Sequence, residues 1–167
     1  HLSLKALGIG KGTEVIIPDI TFVATASPVL LTGATPVLVD VDKDLNISIQ
    51  SIKKSITSKT KAIIPVHFAG KPCKIKEITS IARKNNISVI EDCAHAIGAK
   101  VKNKHVGTFG KSGCFSFYPT KNFTTIEGGM VITNSSNIAN FIRSARNHGI
   151  SKTLAARFSR GNPWDYD

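Results

Sequence analysis

Two side chains are placed to do chemistry: a lysine and an aspartate, each on a turn after an apolar strand, about one supersecondary unit apart. Lys121 lies in Phe115-Ser116-Phe117-Tyr118-Pro119-Thr120-Lys121-Asn122, shortly before Glu127-Gly128-Gly129. Asp92 lies in Val89-Ile90-Glu91-Asp92-Cys93-Ala94-His95-Ala96. A primary amine condenses with a carbonyl to a Schiff base, and a carboxylate facing a ring nitrogen keeps that nitrogen protonated. These are the two demands of pyridoxal phosphate chemistry.

Taken singly, each residue has a plainer reading. A free lysine has a pKa of ~10.4, so its amine must be desolvated or set beside another cation before it can attack. Most lysines are simply surface charges. Asp92 projects from an apolar strand and reads equally as a cap for residues 94–96 or as the counter-ion of a pyridine nitrogen. His95 is close enough to Asp92 to reach the same ligand, although a lone histidine is more often structural. Cys93 reads as a small buried residue rather than a nucleophile. Glu127-Gly128-Gly129 reads as backbone geometry before catalysis, and the role of His67, just after another strand end, stays open.

The elements that must position these groups alternate between strand and helix. Strands are expected at 14–17, 36–40, 62–66, 88–90, 113–116 and 130–132. Helices are expected from His1 to Leu7, over 24–31 with Ser27 as cap and Pro28 first, after Ser48, and from Pro72. A final helix carries Ile138, Phe141, Ile142 and Ala145 on its inner face. Alternation with near-continuous apolar strands predicts an α/β fold, a mainly parallel sheet flanked by helices on both faces. Ligands of such sheets sit beyond the carboxyl ends of the strands, where Asp92 and His67 fall.

Composition narrows the function classes. The chain has 167 residues, enough for one domain with a real core. Its three cysteines, Cys73, Cys93 and Cys114, match neither a disulfide framework nor paired metal-ligand spacing, so no metal is expected and a cytoplasmic setting is. No run approaches membrane-spanning length. The formal charge of +11 invites nucleic acid, but the lysines are spread out without interleaved aromatics, and a solvated surface is the simpler reading. The chain opens without methionine and stops at Pro163-Trp164-Asp165-Tyr166-Asp167, so it is expected to be part of a longer protein, incomplete at both ends.

With these motifs in order, the chain resembles the large cofactor-binding domain of the DegT/DnrJ/EryC1/StrS sugar aminotransferases, fold-type I pyridoxal phosphate enzymes. The resemblance runs through residues 4–17, Pro18-Asp19-Ile20-Thr21-Phe22-Val23-Ala24-Thr25-Ala26, Gly33-Ala34-Thr35-Pro36-Val37 with Asp40 and Asp42, and Pro65-Val66-His67-Phe68-Ala69-Gly70. It continues through Glu91-Asp92-Cys93-Ala94-His95-Ala96, Val106-Gly107-Thr108-Phe109-Gly110, the lysine motif and Arg146-Asn147-His148-Gly149.

The resemblance implies that Lys121 forms the Schiff base and shuttles the proton, and that Asp92 pairs with the pyridinium nitrogen. It places His95 near the ring hydroxyl, Phe22 stacked on the ring and Ser116 on the phosphate of pyridoxal 5'-phosphate. It implies transfer of an amino group, usually from glutamate, to a nucleotide-linked keto-sugar by a homodimer. Residues 1–167 would then be part of the large domain, with the small C-terminal domain outside the chain. The family's glycine-threonine phosphate loop would lie before His1. A segment giving an asparagine and an arginine to the neighbouring subunit's site would follow Asp167. Related dehydratases have histidine in place of the lysine, so Lys121 favours the transaminase. A basic, non-catalytic binding or regulatory protein is the alternative from another class, supported by the charge alone.

Overall fold

A computed structural model describes residues 1–150; the closing Pro163–Asp167 segment singled out above lies outside them. Six strands form one sheet in the order β2-β1-β3-β4-β7-β8. They are β1 (Glu14–Pro18), β2 (Thr35–Val39), β3 (Thr60–Ile63), β4 (Ser88–Asp92), β7 (Ser112–Ser116) and β8 (Gly129–Ile132). All neighbours run parallel except β7 and β8, which pair antiparallel from Gly113↔Ile132 to Ser116↔Gly129. The sequence reading missed a two-stranded hairpin of β5 (Lys100–Val101) and β6 (Lys104–His105), whose segments are too short to show an apolar pattern.

Period-2 alternation divides the core between the two sheet faces. Ile16, Ile63 and Val89 point to one face, under α3 (Ile49–Ser55) and α4 (Ile75–Lys84) with their buried Ile52, Ile75 and Ile78. Val15, Ile17, Ala62 and Ile90 point to the other, under α1 (Leu2–Ala6) and α2 (Ser27–Leu31) with buried Leu4 and Val29. Full burial of each such valine, leucine or isoleucine side chain contributes roughly 1.5–3 kcal/mol. Helices thus cover both faces, and α5 (Ser136–Ala145) packs against α1.

Three local expectations are corrected. The helix assigned to Pro72 begins at Ile75, and the Cys73 N–H ahead of it bonds the His67 ring. The α2 helix starts one residue early, with Ala26 as its cap and Pro28 inside the first turn. Of the expected inner face of α5, Ile138 is buried but Phe141 is 41% exposed.

Candidate active site at the carboxyl ends of the strands

Asp92 ends β4 half-buried, and both carboxylate oxygens are engaged. Oδ1 accepts the Ala94 N–H at 3.0 Å, and Oδ2 accepts the Thr25 hydroxyl at 3.1 Å. The cap-like reading of Asp92 therefore accounts for one oxygen. Thr25, on the short 3-10 turn Val23–Thr25 after β1, is itself buried and lies 2.7 Å from the Thr21 hydroxyl. Thr25 gives its proton to Asp92, so Thr21 must donate to Thr25. Two hydroxyls in series fix the carboxylate.

Beside Asp92 lies a cavity of about 170 Å³, bordered by Thr25, Asp92, Ala94, Cys114 and Ser116. A void of about 150 Å³ takes a benzene ring, so this one has room for a single six-membered ring. Clefts of about 570 and 500 Å³ also exist. One lies between α3 and α4, the other at the amino-terminal ends of β4 and β7, and neither carries a residue of the chemistry described here.

Lys121 follows β7 on a turn closed by its own N–H to the Tyr118 carbonyl. Its Nζ lies 3.0 Å from His95 Nε2. The His95 ring meets Phe68 edge-on, with centroids 6.3 Å apart. The lysine thus reaches the turn that Asp92 opens. A Cβ at Gly128 would collide with Thr125 Oγ1, so the glycine lets the 117–128 loop close, and its carbonyl accepts the Phe117 N–H at 2.9 Å.

The other expected residues are placed less tightly. Ser116 borders the cavity, its hydroxyl accepting the Tyr118 N–H at 3.4 Å. Phe22 caps the Val23–Thr25 turn at the mouth of the sheet but is 71% exposed, with its face open to solvent.

Sequence reasoning missed the Thr21–Thr25 relay, whose only trace is two threonines four apart after a strand. It also left His67 without a role. His67 and Glu91 are both wholly buried, 3.1 Å apart from Nε2 to Oε2. Glu91 Oε2 also accepts the Gly107 N–H at 2.7 Å, and Oε1 accepts those of Phe109 and Gly110, each at 2.7 Å. Burial pushes the Glu91 carboxyl up, but the His67 ring and the Gly110, Gly107 and Phe109 N–H groups outweigh it and hold the pKa below the ordinary carboxylate value.

Glu91, His67 and Cys93 also bring ligand-type atoms within 4.8 Å of one another. Those atoms are already committed. His67 Nδ1 accepts the Cys73 N–H at 3.1 Å, its Nε2 donates to Glu91, and burial pushes the Cys93 thiol far up, against the thiolate a metal requires.

Comparison with known proteins adds family evidence to this geometry. The sequence model of the DegT/DnrJ/EryC1/StrS aminotransferase family matches residues 1–162. The chain is 50% identical, over 91% of its length, to a UDP-N-acetyl-3-dehydro-alpha-D-glucosamine 3-aminotransferase of Acidithiobacillus ferrooxidans, spanning 42% of that protein. Its fold overlays the crystal structure of an aminotransferase from Psychrobacter cryohalolentis with a TM-score of 0.92 at 42% identity, covering 99% of this chain and 43% of the other. NtdA from Bacillus subtilis, solved with bound cofactor PMP, matches with a TM-score of 0.84 at 34% identity, covering 90% of this chain and 34% of that one. The chain spans less than half the length of each of these relatives.

Proposed function

The chain belongs to the DegT/DnrJ/EryC1/StrS aminotransferase family, and from that premise we propose that it is part of a pyridoxal 5'-phosphate-dependent aminotransferase acting on a nucleotide-linked keto-sugar. The observation that carries this reading is the 3.0 Å contact of Lys121 Nζ with His95 Nε2, which brings the amine to the turn opened by Asp92. The named activity of the Acidithiobacillus relative supports a sugar nucleotide as amino acceptor; glutamate as donor follows from the family resemblance.

The residues bordering the cavity fit the ring of the cofactor, with Asp92 and Ser116 on its lining and Lys121, His95 and Phe22 outside it. The cavity beside Asp92 takes one aromatic ring, and Asp92 accepts two hydrogen bonds, leaving lone pairs for a ring N–H. Bound there, the cofactor supplies a carbonyl for an amine to condense with and a ring that draws electrons from the adjacent carbon. Lys121 would tether the cofactor and, when free, hold the proton at Nζ, and Asp92, oriented by Thr21 and Thr25, would keep the ring nitrogen charged. His95, 3.0 Å from the Lys121 amine, would face the ring hydroxyl. Ser116 would donate to the phosphate, and Phe22 would cover the ring with its apolar face.

Residues 1–167 then form part of the large domain, the small C-terminal domain belonging to the rest of the protein. The exposed apolar side chains of Val23, Leu30, Leu31 and Leu38 fit burial against a second subunit of a homodimer. The three cysteines are free, in keeping with a reducing cytoplasm. No helix among the described residues is long and apolar enough to cross a membrane.

The test is chemical. The full-length protein, saturated with pyridoxal phosphate and reduced with borohydride, should yield one phosphopyridoxyl peptide, labelled at Lys121. Lys121→Ala should yield none. A label elsewhere in wild type, or persistence in K121A, refutes the assignment.

A further inference from the structure

We propose that the buried His67–Glu91 pair is a positioning element for the cofactor site, fixing the Asp92 carboxylate and the turn that carries His95; this rests on the function proposed above. The geometry points to it through three links that meet at His67.

The first link is main-chain. The His67 N–H donates to the Asp92 carbonyl at 3.0 Å, and the Asp92 N–H donates to the Pro65 carbonyl at 2.9 Å. These bonds extend the β3–β4 pairing beyond β3 to the residue whose carboxylate borders the cavity. The second link is the ring. His67 Nδ1 accepts from Cys73, so Nε2 carries the proton and donates to Glu91. Glu91 is joined to Asp92 by one peptide bond, and consecutive strand side chains point to opposite faces. Its carboxylate therefore anchors the strand from the α4 side while Asp92 faces Thr25 on the other. Glu91 also ties down residues 107–110, the segment leading into β7 and so towards Lys121.

The third link runs to His95. The His67 carbonyl accepts the Gly70 N–H at 3.2 Å. Gly70 has φ +82°, and a Cβ there would stand 2.9 Å from the His95 carbonyl oxygen. The turn after His67 thus packs directly on the turn that presents the His95 ring, and Phe68 of the same turn meets that ring edge-on. His67 itself is fully buried and its ring nitrogens are both engaged, so it has no route to a ligand. It acts through Asp92 and His95.

Two substitutions separate the ring's bonds. His67→Gln keeps an N–H donor at the place of Nε2 and gives up the acceptor for Cys73. His67→Asn keeps an acceptor at the place of Nδ1 and gives up the donor to Glu91. Both are introduced into the full-length protein, and pyridoxal phosphate is titrated into the apoprotein well below each variant's melting midpoint. The readouts are the dissociation constant and the position of the visible band at fixed pH, which responds to the polar groups held around the bound cofactor.

The expected result is a band shift in H67N with affinity weakened about tenfold, the low end of what losing an orienting partner costs at a ligand site, and near-wild-type values in H67Q. H67N with an unchanged band and affinity overturns the proposal and leaves the aminotransferase reading standing. A band shifted equally in both variants also overturns it, because the Glu91 bond is then not what matters. Should H67N not fold, Glu91→Asp takes its place, keeping the charge but drawing the carboxylate back by one methylene. The same shift is expected, and an unchanged band overturns the proposal. Wild-type protein that binds no cofactor removes both readings together.

Discussion

Replacing Glu91 by glutamine removes one charge and almost no volume, yet the surroundings of Glu91 predict a large loss of stability. All four partners are donors: His67 Nε2 and Gly107 N–H on one oxygen, Phe109 and Gly110 N–H on the other. A glutamine amide has one acceptor oxygen, so its NH2 must face one of these pairs. Turned towards Phe109 and Gly110, it orphans two backbone N–H groups. Turned towards His67, it can be accommodated only by moving the ring proton to Nδ1. That orphans Cys73 N–H as well as leaving Gly107 unpaired. Either way at least two buried donors lose a partner, at roughly 1–3 kcal/mol each. Relief of carboxylate desolvation offsets part of this, so E91Q should lose about 3 kcal/mol. With a urea dependence of about 3 kcal/mol/M, the midpoint of far-UV circular dichroism in the full-length protein should fall by roughly 1 M. The pH dependence supplies a second check. The folded-state pKa of Glu91 is depressed, so its contribution is complete above the ordinary carboxylate value and is lost as pH falls through the lower folded value. The gap between wild type and E91Q should narrow as the pH drops below about 4.3. An E91Q midpoint equal to wild type at neutral pH would refute the all-donor description of this site.

Other outcomes follow from the same geometry. Thr25→Val keeps the shape of Thr25 but removes the hydroxyl that donates to Asp92 Oδ2. Losing one charge-assisted bond should weaken pyridoxal phosphate binding roughly tenfold, and unchanged affinity in a spectral titration would show that the relay is idle. Burial pushes the Cys73 thiol up to about 12 and raises those of Cys93 and Cys114. A disulfide exchange reagent at pH 8 should therefore label none of the three promptly in the native protein and all three in urea; rapid native labelling of Cys73 or Cys93 would contradict their burial.

Much of the fold was legible because apolar strands alternate with amphipathic helices, and the two sheet faces follow from that alternation at Val15, Ile16 and Ile17. What could not be read was set by tertiary partners. The Cys73 N–H just before α4 is satisfied by the His67 ring, a partner that no local pattern announces. α5 packs on α1, a helix distant in sequence, and this contact leaves Phe141 of its apolar stripe exposed. The antiparallel turn of β8 is set by the glycine-permitted closure of the 117–128 loop rather than by any feature of the strand itself. In the site, the Lys121–His95 contact follows the expected order of motifs. Thr25 stayed hidden because nothing local marks a threonine that will face an aspartate from another strand.

The dipeptide Glu91-Asp92 shows how position assigns different work to adjacent carboxylates. An ionised carboxylate offers about four acceptor sites. Glu91 fills all of them with protein donors in a wholly buried setting, so it has nothing left for a ligand and serves the fold. Asp92, turned to the other face by strand alternation, accepts two hydrogen bonds, keeps its remaining lone pairs, and borders a ring-sized cavity. Strand geometry forces the two roles apart: a one-residue slip of β4 would exchange their faces. The four donors around Glu91 oppose that slip, because Asp92, shorter by a methylene, could not reach them all. The saturated acid thus sets the register that leaves its neighbour with lone pairs to spare beside the cavity.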